Sequence, residues 1–120
     1  MFSSSSYAEW TKVSTGTGTN NSGSIFYVDF ERIRKHDGYV YYWELEDYLK
    51  PDQFGMLSSK LYYQGDCKLF RYKILSYSFH KEPMGDGTGE VVEPTGDHTN
   101  WKYPPPNSAA EITLKSVCNR

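Results

Sequence analysis

The sequence predicts an α+β fold, an antiparallel sheet of about six strands with one C-terminal helix packed on one face. Three observations lead there. Runs rich in Val, Ile, Tyr, Phe and Trp recur between turn-forming clusters as far as Val92. Only in the last twelve residues does the apolar period change from two to 3.6. Aromatic residues make up 17% of the 120, with eleven tyrosines, a composition that suits half-buried sheet surfaces more than an aliphatic core.

The elements follow in order. Residues 8 to 14, AEWTKVS, read as a first strand, and TGTGTNNSGS after it as a loop too rich in Gly, Asn and Ser to pack a core. IFYVDFE from Ile25 and YVYYWELEDY from Tyr39 are strands two and three. They flank RIRKHDG, where Asp37-Gly38 is a hairpin-turn signal. Strand four covers LSSKLYYQG from Leu57, and strand five runs from Cys67 to about Phe79. MGDGTGE makes the next turn and EVVE a brief sixth strand. PTGDHTNWKYPPPN is then extended loop, since consecutive prolines donate no ladder hydrogen bonds. In SAAEITLKSVC, Ser108 and Glu111 fit a capping box, and Ala110, Leu114, Val117 and Cys118 form a helical stripe.

Alternation along the strands places large apolar groups on both faces. In strand five Cys67, Leu69, Leu75, Tyr77 and Phe79 share one side, with Phe70, Tyr72 and Ile74 on the other. Strands two and three repeat this. A helix about 16 Å long covers only part of one face, so the remainder needs curvature, a bulge, or a second copy of the chain in a homodimer formed through the sheet. At this length one domain is expected, over residues 8–118, preceded by a flexible N-terminus at 1–7.

Thirteen basic and fifteen acidic side chains give a net charge of −2, which offers no global attraction to nucleic acid or an anionic membrane. No apolar run is long enough for membrane insertion as a helix. Residues 1–6, MFSSSS, carry neither the charged nor the apolar region of a secretory signal, so an exported location assumes a signal removed upstream. Cys67 and Cys118 fit no zinc spacing and are either one disulfide or two unrelated buried thiols.

No catalytic constellation, metal site or cofactor motif emerges, and the ligand-binding residues stay unknown. A nucleophilic Cys67 would need His36, His80 or His98, yet no third orienting residue is suggested and Cys118 is nearly terminal. A bridge between the cysteines would instead fasten the helix end to the head of strand five. Gly85, Gly87 and Gly89 lack the Lys-Ser/Thr of a phosphate loop and read as a hairpin turn. Asp86, Glu90, Glu93, Asp97 and His98 lack the alternation of a calcium loop. Glu44 and Glu46 project from one strand face as an acid and base would, but are expected to be solvated carboxylates at the sheet rim. Arg32, Arg34, Lys35 and His36 beside tyrosine-rich strands suggest a base-stacking sheet, but overall acidity favours a solvated turn or a contact with an acidic partner. An enzyme would need two or more of these carboxylates and histidines brought together in one pocket.

The segments FYVDFERIRKHDGYVYYWELEDY, LSSK, GDCKLFRYKILSYS and MGDGTG, a late Trp101 before prolines, and the closing AEITLKSVC resemble the surface-adhesin protein E family of Gram-negative bacteria. The likeness spans roughly residues 8 to 118. Asp66-Cys67, Met84-Gly85 and Val117-Cys118 are its most specific parts. The resemblance implies a six-stranded antiparallel sheet, with a C-terminal helix tied to its concave face by a Cys67–Cys118 disulfide, and dimerisation. It also implies export to the periplasm or outer surface and binding of extracellular host proteins, without enzymatic activity. The alternative is a periplasmic domain that takes a small ligand or peptide between helix and sheet, where aromatic groups would line a cleft.

Overall fold

A computed structural model describes residues 8–17 and 22–120. The expected flexible N-terminus at 1–7, and the middle of the glycine-rich loop at 18–21, lie outside the described residues. Among the described residues seven strands are ordered β1 (Trp10–Gly16), β2 (Ser24–Asp29), β3 (Arg34–His36), β4 (Tyr39–Tyr48), β5 (Ser58–Asp66), β6 (Arg71–His80) and β7 (Val91–Val92), followed by α1 (Ala109–Cys118). They pair antiparallel in the order β1-β2-β4-β5-β6-β7, and β3 also pairs with β4. The expected strand-two to strand-three hairpin is present with one refinement. A 3-10 turn at Phe30–Arg32 breaks the first arm, so that β2 and β3 share β4 as partner. Asp37 and Gly38 both take positive φ, 53° and 84°, as the tight turn between twisted strands demands.

Two sequence expectations about Cys67 fail. Strand five does not begin there: β5 ends at Asp66, residues 67–70 turn, and β6 begins at Arg71. Asp66 drives this, because its Oδ1 accepts from Lys68 N and Leu69 N while its Oδ2 meets Arg71 Nε at 2.9 Å. A carboxylate that satisfies two turn amides offers the backbone an alternative to the ladder. The face assignment fails too. Between Tyr62 and Tyr63 the register slips, leaving Leu75 as the extra residue of a bulge. Leu61 therefore opposes Tyr77 and Tyr63 opposes Ile74, which places Tyr72, Ile74, Tyr77 and Phe79 on one face, the helix side. Phe70 packs against the same core as Cys118 instead of opposite it.

The helix starts where the capping residues predict. Ser108 Oγ accepts from Glu111 N at 3.1 Å, and Glu111 Oε1 reaches back to Asn107 N at 2.9 Å, one residue beyond the usual box partner. Leu114 and Val117 are fully buried on Val28, Val40 and Tyr42. Their approach is close enough that a Cβ on Gly65 would meet Val40 Cγ1 at 2.9 Å and Leu114 Cδ1 at 3.0 Å. Cys67 and Cys118 form a disulfide across 51 positions of sequence, tying the end of α1 to the β5–β6 turn. On the other face Leu45 is covered by the Pro83–Gly85 turn, held by Met84 N to Asp47 Oδ1 and Gly85 N to Ser58 Oγ. Trp101 adds a second cover, seated beside Tyr39 with Arg71 and Lys73 over its ring. Tyr27, Tyr41, Trp43 and Tyr62 stay half-buried there.

Candidate functional site

α1 packs toward β1, β2 and β4, and so leaves the β5–β6 half of its own face uncovered. A cleft of about 510 Å³ remains between the N-terminal turn of the helix and the sheet, walled by Phe26, Tyr42, Leu61, Tyr63, Tyr72 and Ile74. The rings are mutually fixed: Tyr42 stacks on Tyr63 at 5.1 Å between centroids, and Tyr72 meets Tyr63 edge-on at 5.6 Å.

The floor of this cleft carries Glu44 and Glu46. Both are buried, at 4% and 2% exposure, and neither is the solvated rim carboxylate expected from the sequence. The reason is position: β4 is central, with β2 and β5 on its two sides, and the phase that buries Val40, Tyr42 and Tyr48 also contains residues 44 and 46. Tyr63 donates its hydroxyl to Glu44 Oε1 at 3.0 Å, and Ser24 donates to Glu46 Oε2 at 2.8 Å. Burial pushes the Glu44 carboxyl up to about 7, with the Glu46 charge adding to the rise and the Tyr63 hydrogen bond opposing it. From α1 the buried Thr113 hydroxyl also acts on Glu44 in the direction of greater acidity, without a hydrogen bond of ordinary geometry to any partner. Its own desolvation pushes the Tyr63 phenol upward, and Glu44 adds to the rise, so it stays a donor near neutrality.

The other singled-out residues lie apart from this cleft. Both cysteines are in the disulfide, which removes the nucleophile reading. His36 is exposed beside Asp37, and His98 is exposed in a 3-10 turn at Gly96–Thr99. Asp86, Glu90, Glu93 and Asp97 are exposed along the loop after β6. Among the described residues no three His, Cys, Asp or Glu side chains gather as a metal-binding group. Arg34 lies over Tyr41 and donates to Tyr62, whereas Lys35 donates to the Arg120 carbonyl, so the basic turn is partly engaged by its own chain. A second hollow, about 630 Å³ on the opposite face, is lined by Trp10, Asp29, Arg32, Trp43, Lys60 and His80. Two of its charges face each other: Arg32 Nε stands 3.1 Å from the buried Asp29 Oδ2, an ion pair outside hydrogen-bond geometry. The acidic cleft under α1 is the more distinctive site. Tyr63 and Thr113 were missed as site residues, since nothing local to either signals a cleft. For Glu44 and Glu46 the signal was the even phase shared with Val40 and Tyr42.

Residues 10–119 match the family described as Surface-adhesin protein E. No curated protein matches the chain in sequence. Among solved structures, crystal form II of Haemophilus influenzae protein E superposes with a TM-score of 0.63 at 15% identity, covering 92% of this chain and 87% of that one. A further structure of Haemophilus influenzae protein E gives 0.60 at 13% identity, covering 92% and 83%. At such identities the likeness establishes the fold alone. The match over nearly the whole chain, with the helix-capped antiparallel sheet and its bridge, identifies this protein as a member of the surface-adhesin protein E family, an adhesin-like binding protein.

Proposed function

We propose that this protein is a non-enzymatic binding protein exported to the periplasm or outer surface, where it holds extracellular protein ligands. Family membership carries the reading. The disulfide supports the compartment, because such bridges persist in oxidising surroundings. A surface-immobilised panel of laminin, vitronectin and plasminogen tests it: saturable binding is expected, and signal no higher than on albumin rejects adhesion to host proteins. Self-association through the half-buried back face, with Tyr41, Trp43 and Tyr62 at its centre, belongs to the same proposal.

A second reading is favoured by a specific observation. Leu114 and Val117 do not fill all the space between helix and sheet, and a cleft of small-ligand size stays toward the N-terminal turn of the helix. Glu44 and Glu46 converge there, as an enzyme would also require. Both nevertheless accept from neighbouring hydroxyls, which fixes them as acceptors for recognition. The protein is then a carrier or sensor of a small ligand or peptide end, and equilibrium binding without turnover is the expected signature.

A further inference from the structure

We propose that the cleft under α1 binds an organic ammonium ion on an apolar stem, with its nitrogen on Glu44 and its stem among Tyr42, Tyr63 and Tyr72. The proposal rests on the small-ligand reading and gives it a chemical class.

The starting point is the buried Glu44 carboxyl. Glu44 is buried, its carboxylate accepts from the Tyr63 phenol, and Glu46 stands two residues along the same strand face. Among the described residues lining the cleft there is no Lys, Arg or His. Ionising Glu44 in such a place is unfavourable until a cation enters, since burial without a partner raises the free energy of the charged form. An anionic ligand meets two carboxylates, and a neutral one leaves the charge where it was.

The second observation comes from the helix. Thr113, at 2% exposure, lines the same cleft, and its hydroxyl acts on Glu44 without a hydrogen bond of ordinary geometry to any described partner. Buried hydroxyls are nearly always satisfied, so this one marks a place for a donor or acceptor that arrives from outside. An alkylammonium has three donors and no acceptor. Glu44 and Glu46 from the sheet and the Thr113 oxygen from the helix line the cavity as acceptors. Ring faces attract an ammonium, and Leu61, Phe26 and Ile74 suit the carbon stem. An inorganic divalent ion fits less well, because it demands six or more oxygens and the cleft is largely aromatic. The volume, about 510 Å³, lies within the usual range for small organic ligands.

Two sources present this chemistry: a free amine and the lysine side chain of a protein partner. Isothermal titration of the full chain near pH 8 with phenethylammonium, its alcohol analogue 2-phenylethanol, and phenylacetate reads the charge preference. N-acetyl-lysine methylamide reads the protein source. At least one ammonium compound is expected to bind tenfold or more tightly than the alcohol, with phenylacetate giving no heat. Preference for the aryl amine assigns a free amine, and preference for the lysine compound assigns a partner's side chain. Glu44→Gln is expected to lose at least tenfold, and Ala110→Leu, which adds bulk at the cleft wall and keeps both carboxylates, to lose as much. Affinity should fall on acidification through about 7, where Glu44 protonates; the titratable groups facing it are Glu46, Tyr42, Tyr63 and Tyr72. Alcohol bound as tightly as amine, no binding by either amine, or Glu44→Gln binding unchanged overturns the proposal. Because the readout uses small molecules, failure of host-protein adhesion leaves it standing. Conversely, a neutral or anionic ligand found in the cleft removes the ammonium while sparing the small-ligand reading.

Discussion

At the scale of single residues, Glu44 is the most consequential position in the molecule. Its carboxyl is raised from an ordinary 4.5 to about 7, chiefly by burial. Below the lower value it is protonated folded and unfolded alike, and contributes nothing to the pH dependence. Between the two values the unfolded chain has released the proton and the folded chain still holds it, so stability falls as pH rises. Above about 7 the full penalty is present, on the order of 3 kcal/mol from the size of the shift. Glu44→Gln keeps the shape and removes the charge. Urea unfolding near pH 5 and pH 8 should show wild type losing stability toward the higher pH and the variant losing about 3 kcal/mol less. Parallel pH profiles for the two proteins would contradict the burial argument. Residue-level patterning made Glu44 and Glu46 visible as a pair on one face. It assigned them to solvent because charged side chains usually lie there, and the packing of α1 and the neighbouring strands over β4 decides otherwise.

At the scale of elements, α1 depends on what holds it. Ten residues are too few for an isolated helix in water, even with the Ser108 cap. Leu114 and Val117 provide the packing, and the bridge from Cys118 provides the tether. In the chain-entropy picture, closing a loop of this length contributes about 4 kcal/mol. The double variant Cys67→Ser, Cys118→Ser should lower the unfolding free energy from urea titration by a matching amount. It should also raise amide hydrogen exchange first in α1, while β4 and β5 stay protected. Uniform loss of protection across the sheet would mean that helix and sheet unfold as one unit, and that the tether has no local role. Element existence was readable, since turn signals and apolar periods are local. The boundary at Cys67 was not, because a single aspartate collects the turn amides and converts an apparent strand head into a hairpin loop.

For the whole molecule, the unsettled surface is the back face of the sheet. The Pro83–Gly85 turn and Trp101 cover its two ends, leaving Tyr27, Tyr41, Trp43 and Tyr62 half-buried between them. Association of two copies there would remove more of this aromatic surface from water. Light scattering on a size-exclusion column at micromolar concentration should give twice the 13.9 kDa chain mass. Trp43→Glu should return the protein to a single chain with its far-UV circular dichroism intact. A monomer throughout the concentration series would remove self-association from the proposed function. Helix-side aromatics behave differently: Tyr42 stacks on Tyr63, Tyr72 meets Tyr63 edge-on, and the three wall a cleft.

The sequence alone determined the class of fold, the hairpin at Asp37-Gly38, the capped terminal helix and the family. Each of these rests on signals contained within a few neighbouring residues or on motifs in order. Tertiary structure decided which face the β6 aromatics occupy, because one bulge residue, Leu75, reverses the phase of that strand and no local pattern announces it. It also decided that a short helix packed toward one side of the sheet leaves a cleft over Glu44. That outcome depends on how elements distant in sequence come together, and alternation along a single strand carries no record of it.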